Sequence, residues 1–200
     1  KPDSWSAMWD PKYSGEILTF NNSRDAFGVA QYLLGYDVNS TNPDEWRAAE
    51  EKLKEQKPLI QSYVMDEVFN KMEAGEAAMA PYYAGDYLTM KQENDDLAFV
   101  YPKEGTNKFV DVMCIPLSSE NKKAAELFIN YMCEPEVALH NANYLGYLCP
   151  VTAVLSDDRY EYKDNEVLYP KQEVKTQFFH NLDQDTLDLL SKLWEDLKLA

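Results

Sequence analysis

Residues 16–46, EILTFNNSRDAFGVAQYLLGYDVNSTNPDEW, change hydrophobic period twice within a short span. Glu16 to Phe20 is a short run of β-formers that breaks on the polar pair Asn21-Asn22. Asn22 is placed to cap a helix, with an acid, Asp25, three residues on. Ala26, Phe27, Ala30, Leu33 and Leu34 then recur at helical spacing until Gly35, a residue suited to a left-handed helix end. A second start follows at once: Asn42 as cap, Pro43 at the first helical position, then Asp44 and Glu45 against the helix dipole. Strand, turn, helix, helix is the grammar of an α/β chain.

The same alternation continues in both directions. Trp46, Ala49 and Leu53 form the stripe of the second helix, which Pro58 ends. A third helix carries Met65, Val68, Phe69 and Met72 on one face before Gly75. Ala77 to Tyr83 is a short apolar strand that turns at Ala84-Gly85, and Asp86 to Gln92 is helical. Strands are expected at Leu97–Tyr101 and Phe109–Ile115, and helices over 120–133 and 136–144. Residues 156–174 are polar, tyrosine-rich and weakly patterned, so they read as loop. The last helix, over 186–197, is expected to bury Leu187, Leu190, Trp194 and Leu197. Helices that regularly separate short strands imply an α/β sheet covered on both faces.

Composition narrows the function. With 35 acidic against 19 basic residues among 200, the formal net charge is −16, and no Lys/Arg cluster offers a face to nucleic acid. Such a balance keeps a chain soluble and also steers a cationic ligand inward. Cys114, Cys133 and Cys149 lack metal-ligand spacing and read as small buried apolar residues, although one disulfide is allowed. His140 and His180 are far apart. Neither a cofactor nor a metal site is implied, and no motif of a hydrolase, nucleotide-binding enzyme or metalloprotease occurs, so the chain does not read as an enzyme. The first residues, Lys1-Pro2-Asp3-Ser4-Trp5, contain neither an initiator Met nor a signal peptide, as expected of a piece cut from a longer protein.

Ligands of α/β proteins gather at strand ends. Three ends here carry an acid or a ring: Asn22 and Asp25 after the first strand, Tyr82 and Tyr83 after the 77–83 strand, and Phe109 with Asp111 in the 109–115 run. Asp111 interrupts an otherwise apolar stretch. It is either a solvent-facing residue at the strand start or a carboxylate that needs a cationic partner. Rings with carboxylates suit an alkylammonium, the rings through methylene contact and cation–π attraction, the acids through charge-assisted hydrogen bonds. An anion receptor would instead present basic residues or bare helix N-termini.

In order along the chain, SWSAMWDPKYSGEILTF (4–20), RDAFGVAQYLLGYDVNSTNPDEW (24–46), MEAGEAAMAPYYAGDY (72–87), FVYPKEGTNKFVDVMCIP (99–116), NKKAAELFINYMCEPEVA (121–138) and NYLGYLCPV (143–151) resemble the bacterial spermidine/putrescine-binding proteins of the PotD type. The most specific element is Pro102-Lys103-Glu104-Gly105 followed by Phe109-x-Asp111. The resemblance implies a periplasmic-binding-protein-like (type II) α/β fold of two lobes that close on a polyamine by hinge bending. It assigns residues 1–108 and 154–200 to the second lobe, and 109–153 to a segment that returns to a first lobe lying mostly before this sequence. By the same likeness Asn22 and Asp25 match two family acids, and Tyr83 and Phe109 match cleft tryptophans. Asp111 matches the carboxylate that grips an amino group, Tyr147 a cleft tyrosine, and His180 a glutamine. The changes at Asn22, Asp25, Tyr83, Phe109 and His180 leave spermidine against putrescine open, and admit a related receptor for another small cationic solute. Also implied are an ABC-transporter permease as partner and a periplasmic or extracellular location, with anchoring by lipid or by fusion to the permease. Without its partner strands, the 109–153 segment is expected to self-associate, to swap into a second copy or to pack back on the second lobe.

Overall fold

The computed structural model of the protein describes residues 2–200. Its secondary structure alternates helices with short strands, as the α/β reading expects. The chain divides into two compact units. Unit 1 holds the described residues up to Tyr82 together with Met90–Phe109 and Glu173–Ala200; unit 2 holds Tyr83–Thr89 and Val110–Gln172.

Unit 1 is organised on strand β1 (Ile17–Phe20), all four residues of which are buried. It pairs in parallel with β2 (Ile60–Val64), in the register Leu18–Ser62, Thr19–Tyr63 and Phe20–Val64. On its other side it meets the chain again at Met79, whose carbonyl accepts the Leu18 amide at 2.9 Å. Parallel pairing demands a long crossover, and two helices supply it. Helix α1 (Ser23–Leu34) begins at the Asn22 cap, whose Oδ1 accepts from the Arg24 and Asp25 amides, and ends at Gly35 with φ +76°. Helix α2 (Pro43–Gln56) is capped by Asn42. Helix α3 (Glu67–Glu73) follows β2. A second small sheet joins β3 (Thr106–Lys108) to β4 (Thr176–Phe178), also parallel. Helix α8 (Gln184–Leu199) completes the core: Leu190, Leu193 and Leu197 pack with Phe27, Ala30, Trp46, Ala49 and Leu53. Fully burying side chains of this size stabilises by about 1.5–3 kcal/mol each relative to leaving them in water.

Between β2 and β3 lies α4 (Ala84–Glu93). Unit 2 contains α5 (Lys122–Met132), α6 (Pro135–Leu145) and the short α7 (Thr152–Leu155). Its core is Ala138, Leu139 and Ala142 of α6 against Val154 and Tyr160. Arg159 pins the following loop to α6 through a two-pronged pair with Glu136 and a second pair with Asp157.

Several expectations are corrected. Strand β2 was not foreseen, nor was β4. Residues 97–101 and 109–115 form no strand, and Val110 to Cys114 are solvent-exposed. A strand exists only where a neighbour supplies the ladder, and an apolar run alone does not provide one. The sheet covered on both faces is therefore two small parallel sheets. In α8, Leu187 is exposed and Leu193 is buried in its place. Cys114 and Cys133 are exposed rather than buried, and all three cysteines are free. Residues 110–172 cluster in unit 2, where Val154 and Tyr160 are buried against α6.

Candidate functional site

In unit 1 the candidate residues gather around the turn from β1 to α1. The side chain of Asn22 is committed through Oδ1 to capping, at 2.9 Å from the Arg24 amide. Asp25, half-buried in the first turn of α1, accepts from Asn107 Nδ2 at 3.3 Å, so β3 lies against the helix start. Arg24 stacks over Phe179, 4.7 Å from the ring centroid, and over Trp46 at 5.5 Å. Burial pulls its pKa down, while the charges of Asp25 and Asp37 push back.

Asn39 ties this corner together. Its Oδ1 accepts from Arg24 Nη2 at 2.9 Å and from the His180 amide at 2.7 Å, and its Nδ2 donates to the Phe178 carbonyl at 2.8 Å. The backbone of His180 is thereby fixed beside the N-terminus of α1, and its side chain is exposed. Asn22, Asp25 and His180 thus belong to one corner of unit 1. Phe109, at the end of the Met90–Phe109 stretch of that unit, is exposed.

In unit 2 the candidates are Tyr83, Asp111 and Tyr147. Tyr147 is half-buried and its hydroxyl donates to Asp86 Oδ1 at 2.9 Å. Its pKa is raised well above the usual phenol range, first by burial, then by the hydrogen bond and charge of Asp86, with a smaller push from Asp111. Tyr83 is half-buried, and its carbonyl accepts the Tyr87 amide as α4 begins. Asp111 is exposed, and no basic side chain is paired with it among the described residues. No helix among the described residues is long and apolar enough to cross a membrane.

Sequence reading passed over Arg24, Asn39, Asp86 and Asn107. Asp86 looked like an ordinary first-turn acid, and the two asparagines carry no spacing that marks a site. Each acquires its meaning from a partner distant in sequence.

A family model for bacterial extracellular solute-binding proteins matches residues 1–168. The chain belongs to that family. Among its relatives is the spermidine/putrescine-binding periplasmic protein of Escherichia coli, 32% identical over 170 residues, which are 85% of this chain and 49% of the relative. A putrescine/cadaverine-binding protein of Pseudomonas aeruginosa is 25% identical over 210 residues, 99% of this chain and 59% of that one. The crystal structure of the spermidine/putrescine ABC transporter substrate-binding protein PotD of Streptococcus pneumoniae aligns with a TM-score of 0.81 at 29% identity, covering all of this chain and 62% of that one. The PotD lipoprotein of Treponema pallidum shares the fold, with a TM-score of 0.81 at 19% identity. The chain thus spans about half the length of the Escherichia coli protein. These relatives are named for binding and transport rather than for catalysis.

Proposed function

We propose that this chain binds a polyamine, spermidine or putrescine, as part of the receptor of an ABC importer, and that the receptor delivers it to a membrane permease. The observation that carries the reading is the carboxylate of Asp111, exposed and with no Lys or Arg paired to it among the described residues. A carboxylate left without an internal cation is suited to accept charge-assisted hydrogen bonds from an alkylammonium. Asp25 supplies a second acid, and Tyr83, Phe109 and Tyr147 supply rings for the methylene chain. Asn22 and His180 border the Asp25 corner and are assigned as polar contacts.

In this reading no bond is made or broken. Binding stabilises the ligand-bound receptor by mass action, by about 2.7 kcal/mol at a hundredfold excess over Kd. Residues 1–108 with 154–200 are assigned to the second lobe and 109–153 to the first, with the receptor held outside the cytoplasmic membrane, in the periplasm or on the surface through a lipid or a fused permease. A second reading, a receptor for another small cation, is favoured by the uncharged Asn22, whose side chain is committed to capping α1.

Isothermal titration tests both. A full-length protein carrying this sequence is titrated with putrescine, spermidine, spermine and a neutral amino acid. Micromolar or tighter binding of one polyamine, lost in Asp111→Asn, is the expected result. Silence towards every polyamine would transfer the site to the second reading.

A further inference from the structure

Lys198 holds its ammonium in a seat built without a carboxylate, and every residue of that seat belongs to unit 1. Nζ lies 3.7 Å from the centroid of the Tyr63 ring and 4.9 Å from that of Trp194, and it donates to Asn21 Oδ1 at 2.9 Å. The two rings meet edge to face, with centroids 5.7 Å apart and planes at 84°. Three parts of the unit contribute: Tyr63 stands on β2, Trp194 on α8, and Asn21 follows β1. An ammonium is a donor only. Here one proton goes to an amide oxygen, and the charge faces two aromatic rings.

The absence of an acid is the informative part. Lys54 pairs with Glu50 and Glu51, and Lys171 with Glu166, as lysines in a chain of net charge −16 readily do. No Asp or Glu is paired with Lys198 among the described residues. The seat also lies where open parallel sheets collect ligands, at the carboxyl ends of strands. β1 ends at Phe20 and β2 at Val64, and the Asn21 amide donates to the Val64 carbonyl at 2.9 Å. Two rings and an oxygen acceptor at such an edge are the parts that recognise an alkylammonium. A lysine side chain is one: a four-carbon stem ending in an ammonium, in effect n-butylammonium joined to the backbone.

We propose that this seat is an alkylammonium site in its own right, which the chain closes to free amines with its own Lys198. The proposal goes beyond the polyamine reading and does not rest on it, since none of Tyr63, Trp194 and Asn21 belongs to that site. A tethered ammonium competes at an effective concentration set by its stem, so a free primary amine enters only above that value. The charge of Lys57 acts on any cation held there and keeps the affinity low. Lys198 is thus an internal ligand: it satisfies the rings and the amide, and an amine from solution is not retained at this edge.

Lys198→Ala opens the seat. Residue 198 is exposed in the last turn of α8, and alanine is the best helix former. The probe is n-butylammonium chloride, with n-butanol as its neutral counterpart and ionic strength held constant. The Tyr63 ring and Trp194 indole signals, assigned by their loss in Tyr63→Phe and Trp194→Phe, are followed by NMR. In Lys198→Ala the ammonium should shift both signals saturably, with a midpoint about tenfold lower than in the parent. Butanol should shift neither, and adding Tyr63→Leu should abolish the response of Trp194. Lys198→Ser, read in the same way, keeps the test independent of the alanine variant. No saturable shift in a variant whose other amide signals match the parent overturns the site. An equal response to butanol would make the seat merely apolar, and equal midpoints in parent and variant would deny Lys198 its closing role; either result sinks the proposal.

Discussion

The ammonium of Lys198 sits 3.7 Å from the centroid of the Tyr63 ring, joining the last turn of α8 to β2. The same Nζ faces Trp194 at 4.9 Å and donates to Asn21 Oδ1 at 2.9 Å. Beside it, Lys57 Nζ donates to the carbonyls of Leu197 and Lys198, closing the helix end. Burial and the neighbouring Lys57 charge both pull the Lys198 pKa down, yet the ring faces and Asn21 hold the cation in place. Replacing Lys198 by Met keeps the aliphatic stem and removes the charge. The expected loss is about 0.5–1 kcal/mol, the worth of a cation–π contact at an exposed site, read from urea unfolding midpoints.

Tyr32 offers the opposite case. Its ring is buried against the core side of α1, its hydroxyl makes no hydrogen bond, and burial pushes its pKa up to about 12, with Asp37 adding to the shift. A phenol whose folded pKa lies above the unfolded value near 10 contributes stability that is intact below pH 10 and lost as pH rises towards 12. Tyr32→Phe should be neutral or stabilising by up to about 1 kcal/mol at pH 7, because a desolvated, unpaired hydroxyl is removed. It should also flatten the alkaline loss of stability. Urea midpoints measured at neutral pH and at pH ~11 check both statements.

At the unit 1 corner, Asn39 makes three hydrogen bonds that hold Arg24 and the 178–180 backbone. Asn39→Ala should cost about 2 kcal/mol, less than three full hydrogen bonds because the residue is partly exposed. Amide exchange at His180 should quicken more than exchange in α2. Equal acceleration everywhere would show only a general loss of stability.

Leu127, Phe128 and Tyr131 of α5 are each more than half exposed, as are Val110 and Val112. An apolar surface of this kind favours association. The 200-residue chain should form oligomers at micromolar concentration in sedimentation experiments. With a net charge of −16 opposing contact, the tendency should increase with salt. Leu127→Lys with Phe128→Glu should leave a monomer, and oligomers persisting in that variant would place the contact elsewhere.

What was legible in the sequence was what local chemistry decides. Asn22, Asn42 and Gly35 mark helix ends because caps satisfy backbone groups within a few residues, and the structure shows all three in those roles. The Trp46–Ala49–Leu53 stripe is buried as its spacing requires. Legibility ended where a long-range partner decides. Phe109–Ile115 has the composition of a strand but no ladder, whereas Thr176–Phe178, which carries no strand pattern, pairs with Thr106–Lys108. The hydrogen bond from Tyr147 to Asp86 was invisible for the same reason: the two residues lie 61 positions apart.

The return of the chain to unit 1 through β4 and α8 also sets an order of events during synthesis. Phe27, Trp46 and Leu53 emerge early from the ribosome, but the helix that buries them, Gln184–Leu199, emerges among the last residues of this sequence. Until then the early half is a nascent chain with its apolar faces open, the kind of surface on which chaperones act. A stop codon or frameshift just before residue 184 would therefore remove more than one helix. It would leave unit 1 lacking one side of its core, and proteolysis would remove the product.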